Sequence, residues 1–171
     1  MSYLTDRCKR VVVTGKQSTY LPLHGGVPQG SILGPLLFLI YVNDMTTNLH
    51  LQTHQYADDT TLLEVVDDPV VAIQNINTDL HTLSQWADQW RVTFNAIKTH
   101  FMRISNKKTK PVLDKIILNG CQITEVDKYP NLGLIINNKL SWSDHAEHII
   151  ARASKKLTML NRVSRHYLVL H

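Results

Sequence analysis

Apolar side chains recur at spacings of three and four between Ile73 and Trp90, through Ile76, Leu80, Leu83 and Ala87. That period predicts an amphipathic helix with one buried stripe, leaving Gln74, Asn77, Asp79, His81 and Gln85 towards water. Asp68 and Pro69 supply its N-cap and first position. A second helix is predicted behind Ser141-Trp142-Ser143-Asp144, which has the capping-box pattern. Ala146, Ile149, Ile150, Ala153, Leu157, Leu160 and Val163 share one face, and Arg152, Lys155, Lys156, Arg162 and Arg165 fall largely on the other. Leu36 to Tyr41 is apolar on every side, with Pro35 in the first turn, so a helix buried all round is predicted there.

The remaining apolar runs have strand length. Arg10–Thr14 and Ser18–Leu23 flank Gly15-Lys16 and predict a hairpin. Leu51, Thr53 and Gln55 alternate before Tyr56-Ala57-Asp58-Asp59, and Leu62, Leu63, Val65 and Val66 follow it. Phe101–Ser105 is a strand candidate. Ile116-Ile117-Leu118 and Cys121-Gln122-Ile123 flank Asn119-Gly120, a strong hairpin signal because both residues accept positive φ. Leu132–Ile136 is read as a strand that Asn137-Asn138 turns, and Pro130 removes a ladder donor just before it.

Several stretches admit chemistry beside a purely structural role. Asp58-Asp59 is either a solvated turn or a pair of metal-binding carboxylates. Gly25-Gly26-Val27-Pro28-Gln29-Gly30-Ser31 either allows close packing or receives a phosphate or base on its backbone N–H groups. The basic face from Arg152 to Arg165 is either a solvated face or a rail for a phosphate backbone. Asn106 to Pro111 is a basic loop of the same two readings. His145 and His148 are three apart but have no third ligand near them in the chain, which argues against a metal site. The net charge of +4 permits a polyanionic partner without requiring one. Cys8 and Cys121 stand alone, which fits a reducing compartment with neither zinc nor disulfides. The apolar run Ile32–Val42 is too short for a span of about 20 residues, and no signal peptide is read at the start. An intracellular protein, in cytoplasm or nucleus and not secreted, is expected.

The order of these pieces is distinctive. A Gly-Val-Pro-Gln-Gly-Ser loop opens an apolar helix ending in Asn43-Asp44. A Tyr-Ala-Asp-Asp turn follows, then the helix with Trp86 and Trp90, Asn95 with Lys98-Thr99, and Leu132-Gly133. Leu140-Ser141-Trp142 with His145 comes last. This order resembles the reverse transcriptase of a jockey-like non-LTR retrotransposon along nearly the whole chain.

The resemblance implies an α+β fold: part of a right-hand polymerase palm, an antiparallel sheet backed by helices, over 1–105. A hairpin and primer-grip region over 106–140 and the start of a thumb over 141–171 would follow. It implies two Mg²⁺ ions, with Asp58 and Asp59 as metal-binding and catalytic carboxylates and Lys98 at the departing pyrophosphate. Pro28, Gln29, Gly30, Ser31, Tyr56 and Ala57 would lie at the nucleotide and template, with Tyr56 packing beneath the turn. Leu132 and Gly133 would grip the primer, and the basic face would hold the duplex backbone. RNA template, DNA primer and dNTP are the implied partners, with no membrane. The family's first motif carries another aspartate among apolar residues. Residues 1–25 offer only Asp6, in Leu4-Thr5-Asp6-Arg7. The chain is therefore expected to lack that motif, the fingers and an endonuclease, and to be inactive alone. The alternatives are a non-catalytic nucleic-acid-binding module or an unstable gene product.

Overall fold

The computed structural model describes residues 3–107 and 112–167, with side chains through Ser164. The chain divides into two units, Met1–Glu64 and Val65–His171. In the first unit, β1 (Arg7–Lys9) leads into β2 (Val12–Val13), β3 (Lys16–Gln17) and β4 (Leu21–Leu23). β2 pairs with β3 and β1 with β4, both antiparallel. Between the two ladders the Ser18 N–H donates to the Val11 carbonyl at 2.9 Å, so the segment is one long interrupted hairpin. Its turn is Thr14-Gly15, one residue earlier than the sequence suggested, with φ of 49° and 77°. Both central positions of a type I′ turn need positive φ, which places glycine second and puts Lys16 on the strand.

Next comes α1 (Leu33–Val42). Its apolar sides are open: Leu36 is 54% exposed and Ile40 65%. The expectation of burial all round fails here. A helix apolar on every face needs neighbours on every face, and the described part of this unit offers only short strands and no second helix. The unit ends in β5 (Gln52–Tyr56) and β6 (Asp59–Leu63), an antiparallel hairpin in register from Gln52↔Leu63 to Tyr56↔Asp59.

The second unit opens with α2 (Pro69–Trp90). The Asp68 carboxylate accepts from the Val70 N–H at 2.8 Å, and Arg91 closes the helix at φ 55°. Ala72, Ile73, Leu80, Leu83 and Ala87 are buried. Asp79 is a correction: it is fully buried and partnered, not in water. It stands three residues after Ile76 and four before Leu83, so helical spacing puts it on the stripe whatever its polarity. Asn77 is also half-buried. Its amide donates to the Lys115 carbonyl at 3.0 Å and accepts from the Ile117 N–H at 3.0 Å.

β7 (His100–Phe101) is shorter than the strand predicted for 101–105. β8 (Ile117–Leu118) and β9 (Cys121–Gln122) form the Asn119-Gly120 hairpin, and β10 (Thr124–Glu125) pairs parallel with β7. Arg103, just past β7, forks onto Glu125 at 2.8 and 2.6 Å, and this raises the guanidinium pKa further. Ile116, Leu118 and Ile123 are buried, and β8 lies on α2. Residues 108–111 of the predicted basic loop lie outside the described residues.

β11 (Lys128–Asn131) and β12 (Leu134–Asn137) make the last hairpin. Leu132 and Gly133 are its turn, at φ 48° and 85°, and not part of a strand. Asn131↔Leu134 flank that turn, so Pro130↔Ile135 is a pair that exchanges no hydrogen bonds. The proline therefore costs the ladder nothing. The Ile135 N–H, facing away from β11, is taken by His145 Nδ1 at 3.3 Å.

Asn137, 7% exposed, ties this hairpin to α3 (Ser143–Tyr167). Its amide donates at 2.7 Å to both Ser141 Oγ and Asp144 Oδ2, and accepts from the Ser141 N–H at 2.9 Å. Lys128 Nζ reaches Asp144 Oδ1 at 2.9 Å.

The described strands form six two-stranded sheets, five antiparallel and one parallel, where the resemblance implied an antiparallel sheet over 1–105 followed by a separate hairpin region. Strands of two to five residues leave little ladder on which a third strand can add. No described helix is long and apolar enough to cross a membrane.

The Asp144 carboxyl is held below its ordinary value, first by Asn137 and then by Lys128, while Asp144 raises the Lys128 ammonium. A depressed carboxyl stabilises above its unfolded value of about 3.9 and loses that contribution as pH falls through the folded value. A raised lysine stabilises below about 10.4 and loses its contribution as pH climbs through the folded value. Protection of the Ser141 amide, which donates to Asn137 Oδ1, and of the Ala146 amide, which donates to the Trp142 carbonyl, is predicted to be flat between those limits and to fall at either side. Asp144→Asn should abolish the acid limb; an unchanged acid limb contradicts the stabilising role of the Asp144 bonds to Asn137 and Lys128.

Candidate functional site

Tyr56 and Asp59 pair across a two-residue turn of Ala57 and Asp58. Ala57 takes φ 53°, while Asp58 is not among the positive-φ residues. A left-handed alanine costs roughly 1–2 kcal/mol, so the ladder holds a strained tip. Asp58 sits on the turn and Asp59 on the first rung of β6, both exposed. Tyr56 is 68% exposed and packs beneath nothing, because β5 is largely polar and its described residues are mostly exposed.

The loop before α1 is closed on itself. Ser31 Oγ donates to the Pro28 carbonyl at 2.6 Å and accepts from the Gly34 N–H at 3.1 Å. Ser31 thus caps the helix while folding Pro28-Gln29-Gly30 into a turn with Gly30 at φ 79°. Gln29 is exposed at its corner. Sequence reasoning missed Gly34. A Cβ there would lie 2.9 Å from Ser31 Oγ and 3.2 Å from the Pro28 carbonyl oxygen, so only glycine lets the loop seat. A glycine just before a first-turn proline was the available signal.

Lys98, Leu132, Gly133 and the basic helix belong to the second unit. Lys98 is exposed in a turn made by Asn95, whose Oδ1 accepts from the Ile97 and Lys98 N–H groups at 3.1 and 3.2 Å. The Tyr129 hydroxyl donates to the Lys98 carbonyl at 3.5 Å, and its ring meets His100 edge-on at 5.5 Å. That brings the Lys98 turn to the hairpin whose tip is Leu132-Gly133. On α3, Arg152, Lys155, Lys156 and Arg162 are exposed; the Arg165 side chain lies outside the described residues. Ile149, Ile150, Leu157 and Leu160 on the opposite face are exposed as well. Among the described residues no three His, Cys, Asp or Glu side chains gather as a metal-binding group. His145 instead fastens β12.

Replacing Ala57 by glycine relieves the left-handed backbone and forfeits some chain entropy. The net is a predicted stabilisation of about 0.5–1 kcal/mol in chemical denaturation. A lower stability for Ala57→Gly contradicts the strained tip.

The sequence pattern of the family described as reverse transcriptase (RNA-dependent DNA polymerase) matches residues 1–149. The RNA-directed DNA polymerase from mobile element jockey of Drosophila melanogaster is 31% identical over 95% of this chain and 19% of its own length. The probable RNA-directed DNA polymerases from transposon BS and transposon X-element of the same fly are 29% and 27% identical, over 93% and 99% of this chain and 18% of their own lengths. The chain thus spans about a fifth of the curated relatives it matches. No solved structure matches it. The chain belongs to the reverse transcriptase family, alongside the polymerases of jockey-like non-LTR retrotransposons.

Proposed function

We propose that this chain carries the reacting-end elements of an RNA-directed DNA polymerase: partial palm over 1–105, hairpin and primer grip over 106–140, start of the thumb over 141–171. The observation that carries the reading is the β5–β6 hairpin, which presents Asp58 and Asp59 side by side at an exposed tip in a chain of this family. Polymerases of this family use divalent metal. Mg²⁺ prefers hard oxygen ligands and keeps waters and substrate phosphates around it. Adjacent exposed carboxylates suit that chemistry, so Asp58 and Asp59 would hold the metal, which when bound stabilises charge on the attacking and leaving oxygens. Two carboxylates make an incomplete cage, and among the described residues no third group converges with them.

The other side chains take roles by position. Ala57 leaves the tip uncrowded for a primer end. Gln29, held at its corner by Pro28, Gly30 and Ser31, meets template or incoming dNTP. Lys98 neutralises or protonates departing pyrophosphate. The Leu132-Gly133 tip supports the primer. Arg152, Lys155, Lys156 and Arg162 contact backbone phosphates of the RNA template and DNA primer without reading sequence. The exposed basic face also favours a second reading, a module that binds nucleic acid and catalyses nothing.

Loss of one preorganised electrostatic group costs roughly 10²–10³ in rate, and an incomplete metal cage costs more. This chain alone is therefore predicted not to extend a primer with Mg²⁺ or Mn²⁺; extension abolished by Asp58→Ala contradicts that. It is predicted to bind a template–primer duplex, with log K falling against log salt at a slope of roughly −3 to −4 for four phosphate contacts. Changing the four basic residues to glutamine should flatten the slope, whereas Asp58→Asn should not. Salt-independent binding overturns the rail.

A further inference from the structure

The segment ahead of the glycine loop is bonded to both of the loop's ends. One Arg7 nitrogen, Nη2, donates to the Gly25 carbonyl at 3.1 Å and also to the Gly26 carbonyl. The Tyr3 hydroxyl and Ser31 Oγ share a hydrogen bond at 2.5 Å. Arg7 is no loose surface side chain. It pairs with Leu23 on the β1–β4 ladder, two residues before Gly25, and its Nε is buried without a hydrogen-bond partner. Leaving a guanidinium N–H unsatisfied is unfavourable, so the two carbonyl bonds must hold the group there. Bonds from a charged donor are the stronger kind, and a planar guanidinium holds a fixed direction that an ammonium does not.

We propose that Arg7 and Tyr3 are positioning residues that clamp the Gly25–Ser31 loop at its two ends and so set how Gln29 is presented. The proposal rests on reading that loop as the template-facing element. Gly26 and Gly30, at φ 76° and 79°, give the loop backbone freedom that a clamp has to remove. Ser31 joins the clamp to the helix, since the same Oγ caps Gly34 and meets Tyr3.

The test uses the whole chain, with Arg7→Met, Arg7→Lys and Tyr3→Phe. Amide exchange is followed by peptide, and contact with RNA by photocrosslinking of thiouridine-substituted single strands to the loop. Loss of a charge-assisted bond predicts exchange about tenfold faster or more across 25–31, with α2 unchanged. Arg7→Lys keeps the charge but should not rescue, and Tyr3→Phe should loosen the Ser31 end with the ladder intact. Unchanged exchange in all three variants overturns the clamp, as does full rescue by lysine. Loosening together with reduced crosslinking supports it; loosening with undiminished crosslinking overturns its role in presenting Gln29. If Gln29→Ala leaves crosslinking unchanged in the parent chain, the template-facing reading of the loop fails, while the exchange data still judge the clamp.

Discussion

The two-residue turn is the constraint on which this chain is built. Thr14-Gly15, Ala57-Asp58, Asn119-Gly120 and Leu132-Gly133 each join antiparallel strands, and each begins with a non-glycine residue at positive φ. Loop length fixes register, so these turns decide which side chains face each other. Three of them put glycine second, as a type I′ turn wants. The fourth has Asp58 there. Only Asn119-Gly120 fits the type I′ preference at both positions; Thr14 and Leu132 depart from it at the first, and the turn carrying the carboxylate pair departs at both.

Between the turns, asparagine amides act as joints. Asn77 bridges α2 to both sides of Ile116, Asn95 winds the turn that bears Lys98, and Asn137 binds β12 to the head of α3. The Asn77 amide donates and accepts at once, so one side chain satisfies backbone groups that point in opposite senses. The Tyr129 bond to the Lys98 carbonyl and the Asn137 joint link the Lys98 turn, the Leu132-Gly133 hairpin and the start of the basic helix. In the first unit Ser31 has the equivalent job, joining the Pro28 turn to α1.

What was legible in the sequence was local. Asp68-Pro69 and the three-four spacing gave α2 nearly residue for residue, because cap and period are both written within one helix. Asn119-Gly120 announced its hairpin by the φ it permits. Tyr56 to Asp59 reads as a turn between strands, and the β5–β6 hairpin turns there. Leu132-Gly133 was not, since leucine at φ 48° carries no turn signature and reads as the start of an apolar run. The burial expected of α1 was not legible either: composition shows that a helix favours neighbours, not that neighbours exist. Asn137 escaped because its role depends on the register that the preceding turn imposes. The order of motifs carried the family, which the match over 1–149 supports.

The function proposed for this chain rests on a hard cation binding at the strained Ala57-Asp58 tip. Titration of the chain with Mn²⁺, followed by paramagnetic broadening of assigned backbone amides, reads even weak binding residue by residue. Broadening is expected to centre on Ala57 to Thr60, with weak affinity suited to two carboxylates, and to be lost in Asp58→Asn. Broadening centred elsewhere, or unchanged by that substitution, contradicts the proposed function.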